Sequence, residues 1–215
     1  MTIHLDPDAA VAHGSGSLVF NHPEHDKLLI KVFRSRDKPA KVSDYLRPTK
    51  RRFGAFREWY VEYEHYLRLL KRTGKCPDYL PRFYGFENTN LGPGQLVEKI
   101  VDVDSGRMSR TVSQYLRPPP CSVEELHAPL VELLRKIQRD GAVFRDLNLS
   151  NICVVMRGDT PTRLVVVDGL GEFTMILARS NFRWIHSLWM RQAKTKLETR
   201  IAHAQASVTS ARFPA

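Results

Sequence analysis

One short stretch limits what this chain can fold into more than any other. It is Phe144-Arg145-Asp146-Leu147-Asn148-Leu149-Ser150-Asn151, with the apolar run Val165-Val166-Val167 downstream ending in Asp168-Gly169. Between the two, Ile152 to Met156 and Leu164 to Val167 read as a β-hairpin around Arg157-Gly158-Asp159-Thr160-Pro161. Asp146 and Asn151 therefore precede the hairpin and Asp168 stands at its exit. An Arg-Asp pair is an ordinary surface feature and Asp-Gly after valines an ordinary strand-ending turn, so the weight rests on order and spacing. In this order the groups suit phosphoryl transfer. Asp146 would orient and deprotonate an acceptor hydroxyl, while Asn151 and Asp168 would hold Mg²⁺ against phosphate oxygens.

The chain of 215 residues is 42% hydrophobic, enough to bury a full core as one large domain or two small lobes. No apolar stretch reaches the length of a bilayer crossing, and the first twelve residues carry Asp6 and Asp8 in place of a signal-peptide core. A cytoplasmic protein without a transmembrane segment is the expectation. Cys76, Cys121 and Cys153 are odd in number and far apart, which fits neither a disulfide framework nor a zinc site, and Cys153 reads as a core residue. The net charge of +10 implies attraction to something acidic. The excess is greatest after Phe173, where Arg179, Arg183, Arg191, Lys194, Lys196, Arg200 and Arg212 face only Glu198, and Lys50-Arg51-Arg52 is a second basic run. Such faces are solvated surface first and binding sites second.

Near the start, His13-Gly14-Ser15-Gly16-Ser17 precedes two strands, Leu18-Val19-Phe20 and Leu28 to Phe33, joined by a polar loop. Gly14 and Gly16 would let backbone N–H groups approach phosphate oxygens, with Lys31 as a fixed cation nearby; Lys31 equally fits an outward-facing strand position. Phe56, Tyr60, Tyr63, Leu67 and Leu70 recur at helical spacing beside Trp59 and Tyr66, predicting an amphipathic helix with an aromatic face. A hairpin follows, with a turn over Asn88 to Gly94 and a strand from Gln95 to Ile100. The connector after it places a boundary near residue 100, dividing a first domain of 1–100 from a second of 101–215. By position alone, Glu98 to Ile100 is where a nucleotide base would meet exposed backbone.

Pro118-Pro119-Pro120 breaks the chain before the capping sequence Ser122-Val123-Glu124-Glu125. Leu126, Leu130, Leu133, Leu134 and Ile137 supply a buried helical face, Pro129 places the start of the main helix near itself, and Gly141 ends it. Phe182, Ile185, Leu188, Trp189, Leu197 and Ile201 predict one or two closing helices with a basic outer face. Phe182, Trp184 and Trp189 are expected to pack inward.

These motifs together resemble the PhoP regulatory network protein family (YrbL-like), a compact branch of the protein-kinase-like superfamily. The resemblance rests on Leu29-Ile30-Lys31-Val32, Pro81-Arg82-Phe83-Tyr84-Gly85, Thr89-Asn90-Leu91-Gly92-x-Gly94, Phe144 to Asn148 through Asn151, and Val167-Asp168-Gly169-Leu170-Gly171, and spans residues 14–203. It implies an α+β, bilobal fold: an antiparallel sheet plus one helix in the first lobe, a truncated and mainly helical second lobe, and ATP between them. It implies Asp146 as catalytic base, flanked by Arg145 and Asn148, with Asn151 and Asp168 as Mg²⁺ ligands. Lys31 would contact the α- and β-phosphates and Glu62 would pair with it, Glu58 and Glu64 remaining alternatives.

The chain also departs from the kinase pattern. Phe144 replaces a histidine, Asn148 stands where a lysine is usual near the γ-phosphate, Ala12 and Ser17 occupy expected glycine positions, and no Ala-Pro-Glu segment follows Asp168. Three expectations result. The first is an Mg²⁺- and ATP-dependent transferase acting on a protein or small-molecule hydroxyl. The second is a regulatory module that binds nucleotide without transfer. The third is a module whose basic C-terminal helix meets an acidic protein, nucleic acid or anionic membrane surface.

Overall fold

The computed structural model describes residues 2–14, 16–33, 52–117, 124–172 and 183–212. Cys121, the Pro118-Pro119-Pro120 break, Ser122, Val123, Lys50, Arg51, Arg179 and Phe182 lie outside these. The chain separates into two compact units, one of residues 1–60 with 81–99 and the other of residues 61–80 with 100–215. Residues 61–80, which the sequence puts in the first domain, thus belong with the second.

The first unit is built on a five-stranded antiparallel sheet, β1 (Ala12–His13), β2 (Ser17–Asn21), β3 (Leu28–Phe33), β4 (Phe83–Thr89) and β5 (Gly92–Glu98), in the order β1-β2-β3-β5-β4. Side chains alternate across a strand, and one face of this sheet carries the core: Leu5, Phe20, Ile30, Val32 and Leu96 pack together. Asn90 ties the N-terminal segment to the β4–β5 turn, accepting from the Leu5 N–H at 2.7 Å and donating to its carbonyl at 3.0 Å. That turn is tighter than the composition implies. The strands run on through Asn88, Thr89, Gly92, Pro93 and Gly94, because pairing along the whole hairpin outweighs the turn preference of those residues. A Cβ at Gly94 would stand 2.5 Å from Ile30 Cγ2, so only glycine lets β5 lie against β3 here.

A helix, α1 (Arg57–Thr73), follows. Its first turn belongs to the first unit, where the buried Trp59 stacks on Phe33 at 4.5 Å and meets Phe86 at 5.3 Å. The buried positions are Trp59, Val61, Glu62, His65, Tyr66 and Leu69, while Phe56, Tyr60 and Leu67 are exposed. The aromatic face predicted from periodicity is therefore rotated. Two buried positions are polar and three apolar residues point to solvent, which moves the apparent apolar stripe.

In the second unit, a short helix α2 (Val112–Tyr115) starts with a reciprocal cap between Thr111 and Gln114. The long helix α3 (Glu124–Asp140) buries Leu126, Leu130, Leu133, Leu134 and Ile137, the face its sequence predicts. It runs through Pro129 without starting there; proline near a helix start forgoes only the bond its own N–H would make one turn back. Gly141 at φ +61° ends it. Strands β6 (Ile152–Arg157) and β7 (Thr160–Val166) form the expected hairpin. The C-terminal helix α4 (Arg183–Arg212) buries His186, Met190, Ala193, Leu197 and Ile201, spaced three and four apart. His186 is anchored to the Ala142 carbonyl at 2.8 Å. Against expectation, Trp184 is 70% exposed and Leu188 52% exposed, because the buried stripe runs through His186.

Candidate active site

The second unit gathers the acidic and amide residues singled out by the sequence. The segment before β6 and the segment after β7 lie side by side: the Arg145 N–H donates to the Gly169 carbonyl at 2.7 Å, and the Gly171 N–H to the Val143 carbonyl at 2.7 Å. Phe144 and Leu170 form a β-bridge between these bonds. Phe144, fully buried, fills with hydrocarbon the place where the kinase pattern has a histidine.

Within this frame the loop is held by its own side chains. Asn151 Nδ2 donates to the Asp146 carbonyl at 3.1 Å, so the Asn151 amide oxygen points away from that carbonyl. Asn148 Oδ1 accepts from the Ser150 hydroxyl at 2.6 Å and from the N–H groups of Ser150 and Asn151 at 3.0 and 3.1 Å. Its Nδ2 donates to Asp146 Oδ2 at 2.6 Å. Asn148 thus has a role the sequence did not disclose, as the staple of the loop. Asp168 Oδ1 accepts from the Gly169 N–H at 2.8 Å. Gly169, at φ +85°, lies so near the loop that a Cβ would stand 3.3 Å from the Asp146 carbonyl oxygen and 3.8 Å from Asn151 Nδ2. Asp146 is exposed and Asp168 half-buried.

Glu62 is buried and receives Arg145 Nη2 at 3.3 Å. Glu64 is instead exposed enough to pair along the helix with Arg68 at 2.7 Å. Glu58 belongs to the first unit, where its carboxylate lies 3.6 Å from where a Gly16 Cβ would stand. Burial raises the Tyr63 hydroxyl above its ordinary pKa, and the Glu62 charge adds to the effect.

In the first unit, Gly14 and Gly16 lie in the turn between β1 and β2, which the Gly14 N–H closes onto the Ser17 carbonyl at 2.8 Å. Lys31 is buried at the centre of β3 rather than outward-facing, with Val19 and Gln95 as its cross-strand neighbours. Gln95, fully buried with neither amide atom partnered among the described residues, is a polar position that sequence reasoning passed over. Its alternation with Leu96 on a buried strand was the available signal. Of the proposed base-contacting segment, the Glu98 N–H is taken by the Arg82 carbonyl at 2.9 Å and the Lys99 N–H by that of Lys27 at 2.8 Å. In the second unit the Ile100 carbonyl accepts from the Ser109 N–H at 2.9 Å.

Among the described residues no group of three His, Cys, Asp or Glu side chains is placed to hold a metal. The donors fit Mg²⁺ nonetheless, since it takes one or two protein oxygens and completes its shell with water and phosphate, and one carboxylate with one amide oxygen is such a set. Among the described residues no helix is long and apolar enough to cross a membrane. The basic residues Arg191, Lys194, Lys196 and Arg200 of α4 are exposed.

A glycine turn and a buried lysine in an antiparallel sheet, then a helix, then an acidic loop bonded to an Asp-Gly strand end make this an α+β chain. The chain belongs to the family of the PhoP regulatory network protein YrbL, which it matches over residues 3–204. It is 26% identical over 198 residues to the uncharacterized protein YrbL of Escherichia coli (strain K12), covering 88% of this chain and 85% of that one. The same figures hold for YrbL of Shigella flexneri. Similar solved structures include Rad53 1-466 in complex with AMP-PNP (TM-score 0.48, 14% identity, 76% of this chain) and the Mycobacterium tuberculosis PknI kinase domain (TM-score 0.42, 16% identity, 74% of this chain). The chain spans 38% and 57% of their respective lengths.

Proposed function

We propose that this protein is an Mg²⁺- and ATP-dependent phosphotransferase that passes the γ-phosphate to a hydroxyl of a protein or small molecule. The observation that carries the reading is the locked loop: Asp146, Asn151 and Asp168 are brought to one place by main-chain bonds between Arg145 and Gly169 and between Gly171 and Val143. Asp146 accepts the proton of the attacking hydroxyl, and its exposure leaves it accessible to an acceptor. Asn148, donating to Asp146 Oδ2, fixes the carboxylate's rotation. The Asn151 amide oxygen and the Asp168 carboxylate would hold the metal, which would supply charge neutralisation to the phosphates. Lys31 is assigned to the α- and β-phosphates and the Gly14–Gly16 turn to phosphate oxygens. Glu62 has Arg145 as partner in the second unit, so it orients the catalytic loop whatever else it meets.

A second reading is a nucleotide-binding regulator that does not transfer phosphate. What favours it is Asn148: its amide is committed to loop bonds and supplies no cation where a lysine would assist the γ-phosphate. Incubating the purified protein with Mg²⁺ and labelled ATP separates the two. The transferase reading expects turnover or autophosphorylation that drops roughly 10²–10⁴-fold in Asp146→Ala and disappears in Asp168→Ala. Saturable Mg²⁺·ATP binding with no turnover supports the regulator, and no nucleotide binding at all refutes both.

A further inference from the structure

Away from that site, the second unit has a cavity of about 500 Å³ whose walls are unusually rich in positive charge. One wall is the last two turns of α1, where His65, Arg68, Leu69 and Arg72 share a face and Lys71 adjoins it. The opposite wall is the segment after α3, including Gly141 and Val143.

Three details make this a built site rather than a solvated basic surface. The first is Arg72, whose Nη1 donates to the Asp140 carbonyl at 2.8 Å. Its guanidinium lies so close over Gly141 that a side chain there would collide with it, and Gly141 has φ +61°. One donor of five is spent on that bond, and the Asp140 carboxylate is turned to Arg139 at 2.7 Å and to the Tyr79 hydroxyl at 3.1 Å. The second is charge balance. Among the described residues Lys71 and Arg72 have no ion pair; Glu64 is taken up by Arg68. The third is His65, 5% exposed, with its Nε2 buried and unpartnered among the described residues. A buried polar nitrogen without a partner is costly unless a ligand meets it. Burial and the nearby Arg68 hold His65 neutral, with the Glu64 and Glu172 carboxylates opposing that shift, so its ring supplies one hydrogen bond without adding charge.

Cations at a helix C-terminus also serve the helix dipole, which accounts for Lys71 and Arg72 as a pair. It does not account for the buried His65 continuing the same face beside the Glu64-paired Arg68, nor for the open volume they line. With Arg68 held to Glu64, Lys71 and Arg72 leave two positive charges, of which a lone carboxylate would balance one. A phosphate dianion matches guanidinium forks and has oxygens enough for several donors. The cavity exceeds what an inorganic ion fills, and Leu69 and Val143 give it an apolar side.

We infer that this cavity between α1 and the segment after α3 binds a phosphomonoester, its phosphate on Arg68, Lys71, Arg72 and His65 and its organic part on Leu69 and Val143. The cavity shares Val143 and Leu170 with the strap beside the acidic loop, but Asp146, Asn151 and Asp168 do not line it, and the inference does not depend on the assignment to ATP. The test is calorimetry and thermal shift on the full chain at low, constant ionic strength, titrating inorganic phosphate and phenyl phosphate. Both should bind saturably, phenyl phosphate more tightly. Arg68→Gln/Lys71→Gln, whose side chains lie on the helix surface, should keep the wild-type circular dichroism and lose affinity roughly tenfold or more, as expected for removing charged hydrogen-bond donors. Asp168→Ala should bind both probes as the wild type does. The inference is overturned by absence of saturable binding, by unchanged affinity in the double variant, by phenyl phosphate binding no more tightly than phosphate, or by loss of binding in Asp168→Ala.

Discussion

Glu62 and Arg145, 83 residues apart in sequence, meet at 3.3 Å with side chains 6% and 17% exposed. The pair ties the middle of α1 to the residue that precedes the candidate base, so the position of Asp146 depends on a helix far from it in the chain. Removing one member leaves a charge in a poorly solvated place. Glu62→Gln or Arg145→Met is expected to cost about 3–5 kcal/mol, measured by urea unfolding, and the double variant is expected to cost less than the two added together. Additive costs would show that the pair is not coupled.

Asn148 holds Asp146, Ser150 and Asn151 through four bonds from one amide. Asn148→Ala should therefore lower turnover far more than it lowers global stability, because it releases a loop and not a core. Asn148→Asp keeps the acceptor to Ser150 and Asn151 but sets a second carboxylate beside Asp146. It should leave the loop ordered while raising the pH at which the pair ionises, a shift readable in the pH–rate profile. An unchanged profile would contradict this account of Asn148.

Gly171 is at φ +97°, and a Cβ there would stand 2.6 Å from Val61 Cγ1 and 2.8 Å from His65 Cδ2. Backbone strain and overpacking each cost ~1–3 kcal/mol, so Gly171→Ala is expected to destabilise the protein by roughly 2–6 kcal/mol. Gly158, also at positive φ but with open space around it, should lose only the strain contribution on the same substitution. Denaturation curves of the two variants compared directly would decide.

Burial, aided by the Asp102 carboxylate, pushes the Cys153 thiol up to about 12 from an ordinary 9.0. The Tyr79 hydroxyl is also raised, first by burial and then by the Asp140 carboxylate it donates to. For both groups the folded chain holds its proton to higher pH than the unfolded chain does. The stability they confer is complete below pH 9.0 and falls as pH rises toward 12. Urea midpoints should therefore decline across that range, less steeply in Cys153→Ala. At pH 8 an alkylating reagent should label the exposed Cys76 and spare Cys153 until the protein unfolds, which peptide mapping resolves.

How far the sequence discloses all this differs by element. The five leucine and isoleucine positions of α3 are legible because the apolar residues recur on one face turn after turn, the buried Asp140 coming only at the end of the helix. The proximity of Asp146, Asn151 and Asp168 is legible in their order around the β6–β7 hairpin, while the bonds by which Asn148 holds the loop are not. The face of α1 is not, since the polar Glu62 and His65 are buried while Phe56, Tyr60 and Leu67 look outward, Tyr60 finding cover by stacking on Phe53 at 4.2 Å. A periodicity count reads hydrophobicity as burial and rotates the helix. The cavity at Arg68, Lys71 and Arg72 was hidden for a related reason, because only the fold shows that Gly141 lies beneath Arg72.

The strap joining Val143 and Arg145 to Gly169 and Gly171 is made entirely of peptide groups. Substitutions along either segment can therefore retune acidity, bulk or acceptor preference while the spacing of the reactive groups stays as the backbone sets it. A scaffold of this kind permits relatives to diverge in side-chain chemistry without first having to lose their shape.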